Sequence, residues 1–237
     1  MPKKRAPARG AAPGSADSTP SEEMYLKALE HLERQGKASV ATVSRELGVS
    51  AASTSEMLRR LAARGWVTVG KSGAGLTPVG RRLALRTVRR HRLVERLFTD
   101  VLKVPWDGVH EPACVLEHAL SDLVTDQIDE VLGHPETCPH GHPIPARDGT
   151  LRDESGVGLD SLSPGARARI LSISREDPDL LVYLGSLGLL PGTEVRIETA
   201  APFGGPLLVR VGRARYALGR EVAGVITVEP HTDGALK

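Results

Sequence analysis

His91 and Glu95 stand four residues apart, and His110, Cys114, Glu117 and His118 follow at spacings of four, three and one. On a helix such spacings stack side chains on one face, and the second group crowds an arc of roughly 100°. Imidazole, thiolate and carboxylate together are the ligand types of a divalent transition metal. Each group alone has a plainer reading, because His-Glu pairs four apart are common on surfaces and a lone Cys is often a small buried hydrophobe. Six such residues on two successive predicted helices favour a metal centre.

A second cluster, His134, Cys138, His140 and His142, is laced with Pro135, Pro139, Gly141 and Pro143. It lacks a second Cys and the paired spacing of a zinc site, so it is expected to be a rigid, turn-rich loop that binds no metal. No glycine-rich phosphate loop or nucleophile elbow stands out.

The elements around these residues begin after an Ala/Pro/Gly/Ser-rich basic arm over 1–20. Ser21 is the expected cap of a first helix, with Met24, Tyr25, Ala28, Leu29 and Leu32 on its apolar face, ended by Gly36. A second helix covers 40–47. Ser50 caps a third that runs to about Arg64, with Met57, Leu58 and Leu61 buried. A hairpin follows over 66–78. Three helices and a hairpin, with a tight turn at Gly48 and Val49, describe a winged helix-turn-helix.

A long helix over 77–101 carries Arg81, Arg82, Arg86, Arg89, Arg90 and Arg92. Their place beside the recognition helix makes phosphate contact an expectation for some of them. One further helix is expected over 111–131. Strands over 166–172, 195–197, 207–211 and 225–228 and a helix over 179–187 suggest a small SH3-like barrel. The domain plan is a winged helix over 21–86, a helical domain over 87–147, a linker over 148–160, the barrel over 161–230 and a tail over 231–237.

The chain has 237 residues, 40% of them hydrophobic, a formal net charge of +2 and two cysteines. That excludes a disulfide framework, and with no apolar run of about 20 residues there is no membrane span. A cytoplasmic protein is expected.

Several segments resemble the diphtheria-toxin-repressor family of iron- and manganese-dependent transcriptional regulators. They are Glu23-Met24-Tyr25-Leu26, the run from Ser50 to Ser55, Leu76-Thr77-Pro78-Val79-Gly80, the runs Arg90 to Leu97 and His110 to His118, and Gly133 to Pro145. The likeness covers about 22–145; the C-terminal part is similar to the SH3-like, FeoA-type domain in outline. The resemblance implies a mainly α protein with small β parts: a winged helix-turn-helix, a helical dimerisation domain and that barrel. It implies a homodimer on double-stranded operator DNA, with no small-molecule substrate.

It also implies two Fe²⁺ or Mn²⁺ sites per subunit. The first uses Met24, Cys114, Glu117 and His118, the second His91, Glu95 and His110, with Glu176, Asp177 or Asp179 as further candidates. Cys114 resembles the iron branch, whereas the manganese branch has a carboxylate there and a Glu at the position of Lys27. Ser50, Ser53, Ser55 and Arg60 are expected at phosphates, Ala52 and Glu56 nearest the bases. A metal joining Met24 to the other three ligands would fix the DNA-binding domain in one orientation. A small hydrolytic metalloenzyme and a metal-independent regulator are the alternatives. Against the enzyme, no general base stands apart from the ligand set.

Overall fold

In the computed structural model, which describes residues 18–36, 38–70 and 73–231, the chain divides into two units, Met1–Thr77 and Pro78–Lys237. The basic arm and the tail fall almost wholly outside the described residues.

The first unit holds helices α1 (Pro20–Arg34), α2 (Val40–Leu47) and α3 (Ala51–Ala63), then strands β1 (Val67–Gly70) and β2 (Gly73–Leu76). The expected cap of α1 at Ser21 is corrected to Thr19. Its hydroxyl accepts from the Glu22 N–H, the Glu22 carboxylate accepts from the Thr19 N–H, and Pro20 fills the first helical position, which needs no donor. Gly48 ends α2 in the left-handed region at φ 64°. Leu26, Leu29, Val43, Leu58, Leu61 and Trp66 are buried between the helices and the hairpin. Each such side chain contributes about 1.5–3 kcal/mol of burial. Met57 is only partly buried, and Thr54 takes the inward place expected for it. Three helices closed by an antiparallel hairpin make a winged helix-turn-helix.

The second unit opens with α4 (Pro78–Arg96), so the boundary expected after residue 86 moves to the start of this helix. A π-helical turn, Leu97–Val101, extends it. The single helix expected over 111–131 is two: α5 (His110–Leu116) and α6 (Asp122–Val131). The break has a local cause, since Ser121 caps α6 by accepting from the Val124 N–H. The arginines of α4 are largely internal struts. Arg86 and Arg90 share Asp122, Arg89 donates to Asp129 and to the Pro145 carbonyl, and Arg92 donates to the Pro143 carbonyl. Four of the six arginines among which some phosphate contacts were expected are thus engaged inside their own unit.

The rest of this unit is a six-stranded antiparallel sheet in the order β3-β8-β4-β5-β6-β7. Its strands are β3 (Val157–Gly158), β4 (Arg167–Ile173), β5 (Glu194–Ala200), β6 (Leu207–Val211), β7 (Ala214–Leu218) and β8 (Ile226–Pro230), with helices α7 (Pro178–Ser186) and α8 (Arg220–Gly224). Bulges at Ile170/Ser172 and Ile197/Thr199 bend it around Ile170, Leu181, Leu184, Ile197, Val209 and Val228. Residues 157–160, expected as linker, belong here, since β3 pairs with β8 and Leu159 is fully buried. β7 escapes sequence reading because only Leu218 of its five residues is buried. Among the described residues no helix is long and apolar enough to cross a membrane.

Candidate metal centre and nucleic-acid interface

The metal-ligand candidates of the second unit converge on α4. His91 and Glu95 share its inner face, with His91 Nε2 2.9 Å from Glu95 Oε1. The other ring nitrogen, Nδ1, stands 2.6 Å from Glu117 Oε2 and 3.9 Å from Cys114 Sγ. Cys114 lies one turn after His110 on α5, its sulfur 3.5 Å from His110 Nε2. Glu117 caps α5 with its backbone still helical, its N–H donating to the Ala113 carbonyl, and is buried, while His118 Nε2 reaches its other oxygen at 3.4 Å. Sequence spacing alone had put all four on one continuous helix. Met24 belongs to the first unit and is 46% exposed, an unusual state for a long apolar side chain on a core-facing helix.

Of the three acids expected from the C-terminal domain, only Glu176 enters the cluster, through contacts to His110 and, at 3.5 Å, to His140. Asp177 is corrected to a helix cap, its carboxylate accepting from the Leu180 N–H at 3.0 Å. Asp179 is exposed in the first turn of α7, outside the cluster. His91, Glu95, His110 and Glu176 can each offer one ligand atom within 4.8 Å of the others.

The proline-rich loop is turn-like as expected, with a bridge between Thr137 and Pro143, but it does more than turn. It buries Cys138 and His140 completely and brings both to Glu95, a second group of ligand atoms within 4.8 Å. Gly141 makes this approach possible. Its φ is +92°, and a Cβ there would overlap the Leu171 carbonyl oxygen of β4. The Ile173 N–H donates to the His140 carbonyl, which pins the loop to the same strand. His142 is tied to Glu154 and the Ile173 carbonyl, and His134 pairs with Asp129. The signal for Cys138 and His140 was their spacing of two, which puts both on one face of an extended segment.

Glu95 is fully buried, and neither of its oxygens has a hydrogen bond of proper geometry although imidazole nitrogens of His91, His110 and His140 stand within 3.5 Å. His140 donates from Nε2 to the Trp106 carbonyl, which leaves Nδ1 facing Glu95 and Glu176 without a hydrogen bond. Buried polar atoms that aim at one another without bonding are what ligands around an ion look like. Titration points the same way. Burial pushes Glu95 up, yet His91 and the neighbouring imidazoles outweigh it and hold the carboxyl well below the usual range. Glu176 is held at about 2, its contact with His110 overcoming burial. His110 is pushed up to about 12 by Cys114, Glu176 and Glu95, against burial. Burial lifts the Cys138 thiol well above its ordinary value. Carboxylates this deep demand positive charge, which protons supply here and a divalent ion would supply better.

In the first unit, α3 presents Ala52, Ser53 and Glu56 outward. Ser50 caps the helix and shares a 2.9 Å hydroxyl contact with Ser53, and Ser55 donates to the Ala51 carbonyl. Arg60 is half exposed and paired with Glu22 at 3.1 Å, a partner that no local pattern announced.

A winged helix-turn-helix followed by a buried cluster of His, Glu and Cys defines a metal-responsive DNA-binding regulator. Three family models match in sequence: "iron dependent repressor, N-terminal DNA binding domain" over 17–74, "iron dependent repressor, metal binding and dimerisation domain" over 77–146, and "FeoA domain" over 157–230. The iron-dependent repressor IdeR of Mycobacterium leprae is 31% identical, over 90% of this chain and 98% of its own. The diphtheria toxin repressor of Corynebacterium jeikeium is 38% identical, over 76% and 85%. A solved manganese-dependent transcriptional repressor in complex with manganese superposes with a TM-score of 0.82 at 36% identity, over 87% of this chain and 98% of that one. The chain belongs to the iron-dependent repressor family, whose members are metal-dependent transcriptional repressors and not enzymes.

Proposed function

We propose that this chain is a cytoplasmic homodimeric repressor of metal-homeostasis genes whose operator binding is switched by Fe²⁺ or Mn²⁺ at two sites per subunit. The observation that carries it is Glu95, fully buried among imidazoles with both oxygens lacking a hydrogen bond. One ion takes Met24, Cys114, Glu117 and His118. Its ligands come from both units, so binding couples them and favours the DNA-competent arrangement. The other ion sits at Glu95, with His91, His110 and Glu176 on one side and Cys138 and His140 on the other. We add Cys138 and His140 of the proline-rich loop to this site because both are buried with ligand atoms within 4.8 Å of that of Glu95.

The residues fit such ions: every imidazole in the set can offer a bare nitrogen, and the carboxylates balance the charge. A bound ion would act as a structural tie, with no chemistry of its own. Iron is the first choice for the Cys114 site because thiolate and thioether are soft ligands, with manganese next. Dimerisation is supported by Val115, Leu123 and Val131, largely exposed apolar residues on α5 and α6. Two α3 helices about 34 Å apart would then enter successive major grooves. In that complex Ser50, Ser53, Ser55 and Arg60 meet phosphates while Ala52 and Glu56 lie nearest the bases.

The test is anaerobic titration of Fe²⁺ and of Mn²⁺ into the protein with a duplex selected from a random pool. The expected result is tight binding only with metal, reversed by chelator. Equal binding in chelator would favour the metal-independent regulator.

A further inference from the structure

The arginines at the C-terminal end of α3 are each paired with a carboxylate. Glu22, in the first turn of α1 and 2% exposed, is gripped from three sides. Its Oε2 accepts from the Thr19 N–H at 2.9 Å and from Arg64 at 2.7 Å, and its Oε1 accepts from Arg60 at 3.1 Å. Arg64 is further held over the Trp66 ring, 3.7 Å from its centroid. Arg60 has no other ionic partner among the described residues, and its side chain is 55% exposed. Arg59, on the outer face, is paired with Glu56 at 2.7 Å. Every arginine of α3 therefore has a carboxylate partner within the first unit.

We propose that Glu22 is an intramolecular competitor for Arg60, an electrostatic restraint that weakens contact with arbitrary DNA and so sharpens selectivity. This rests on the reading of α3 as the DNA-facing helix. Non-specific binding is mostly phosphate contact with counterion release. In a non-specific encounter no phosphate is held in register, and Arg60 stays with Glu22, whose buried carboxylate loses more by parting than an exposed one would. A fitted operator holds a phosphate where the half-exposed guanidinium can take it, while Arg64 and the Thr19 N–H keep Glu22 satisfied. The acid thus withholds one phosphate contact from the wrong sequences and yields it to the right one.

The experiment is salt-dependent binding of the Mn²⁺-loaded protein to a random-sequence duplex and to the selected operator. Glu22→Gln should steepen the log–log salt slope on random duplex by about one and tighten binding roughly fivefold to tenfold at 0.1 M salt. The operator slope should stay as in the parent, because Arg60 is already on phosphate there. Arg60→Ala should lower the operator slope by about one, and Glu22→Gln/Arg60→Ala should lose the gain on random duplex. If Glu22→Gln melts early, Glu22→Asp replaces it; it keeps a charge for Arg64, and the longer Arg60 contact gives way first. A folded Glu22 variant with unchanged slope and affinity on random duplex overturns the proposal. An unchanged operator slope in Arg60→Ala instead overturns the reading of α3.

Discussion

His140 turns its Nδ1 towards Glu95 at 3.4 Å while its Nε2 donates to the Trp106 carbonyl at 2.9 Å. The carbonyl can only accept, so it holds a proton on Nε2 and leaves Nδ1 as the nitrogen that faces the carboxylate. A hydrogen bond from the other ring nitrogen to a backbone carbonyl orients metal-ligating histidines in this way. Replacing Cys138 and His140 together with Ala should lower metal content by about one ion per subunit or weaken that site about 10–100-fold. Elemental analysis and calorimetric titration read this directly, and unchanged stoichiometry and affinity would return the loop to a purely structural role.

Gly141 and Gly165 have nearly the same left-handed φ, +92° and +91°, yet only at Gly141 would a Cβ run into another strand. Both Ala variants meet the backbone penalty of about 1 kcal/mol, but Gly141→Ala must also displace the chain at Leu171. Chemical denaturation should find Gly141→Ala the costlier by about 2 kcal/mol. It should also weaken metal binding at Glu95, because the loop can no longer dock. Equal destabilisation would show that the loop's approach to β4 is not tight.

Glu22 gives a pH dependence with a definite sign. Burial opposes its ionisation, but the Thr19 N–H, Arg64 and Arg60 prevail and hold it at about 2, below its ordinary 4.5. A depressed carboxyl stabilises the fold fully above pH 4.5 and loses that contribution as pH falls through 4.5 towards 2. Glu22→Gln should therefore be less stable than the parent by about 2 kcal/mol at neutral pH. The gap should close on acidification, as urea denaturation across the range would record. A gap independent of pH would mean that shape, not charge, holds Glu22.

Much of this was legible in the residues. His91, Glu95, His110 and Cys114 could be grouped because helical periodicity alone puts them on facing surfaces. Glycine and serine punctuation bounded α2 and α3 closely. The Thr19-Pro20-Ser21-Glu22 capping box is also written in the sequence, beside the competing cap candidate Ser21. Other features depend on chain reversal, which periodicity does not encode. The break that separates α5 from α6 before Ser121 is one, and the docking of Gly141 on β4, which delivers Cys138 and His140 to Glu95, is another. The arginine-rich α4 misled for a related reason: Asp122 and Asp129, its partners, lie some 32 to 40 residues further on.

Ligand softness is testable at Cys114. A thiolate favours softer ions and a carboxylate oxygen favours Mn²⁺. Cys114→Glu should shift the metal that activates operator binding from iron towards manganese, read as the ratio of activating concentrations under anaerobic conditions. An unchanged ratio would remove Cys114 from the ligand set.

The central claim is that metal at Cys114, Glu117 and His118 controls DNA binding through Met24. Met24→Ala tests it most directly, and since Met24 is 46% exposed the substitution should cost less than the ~2–5 kcal/mol of a buried Met. A thermal melt confirms folding and calorimetry measures Mn²⁺ uptake before operator binding is read with and without chelator. The account predicts a folded protein that still takes up metal through the remaining ligands but binds operator weakly, with little difference on chelation. A folded, metal-loaded Met24→Ala protein that grips operator as tightly as the parent and releases it to chelator would contradict the coupling.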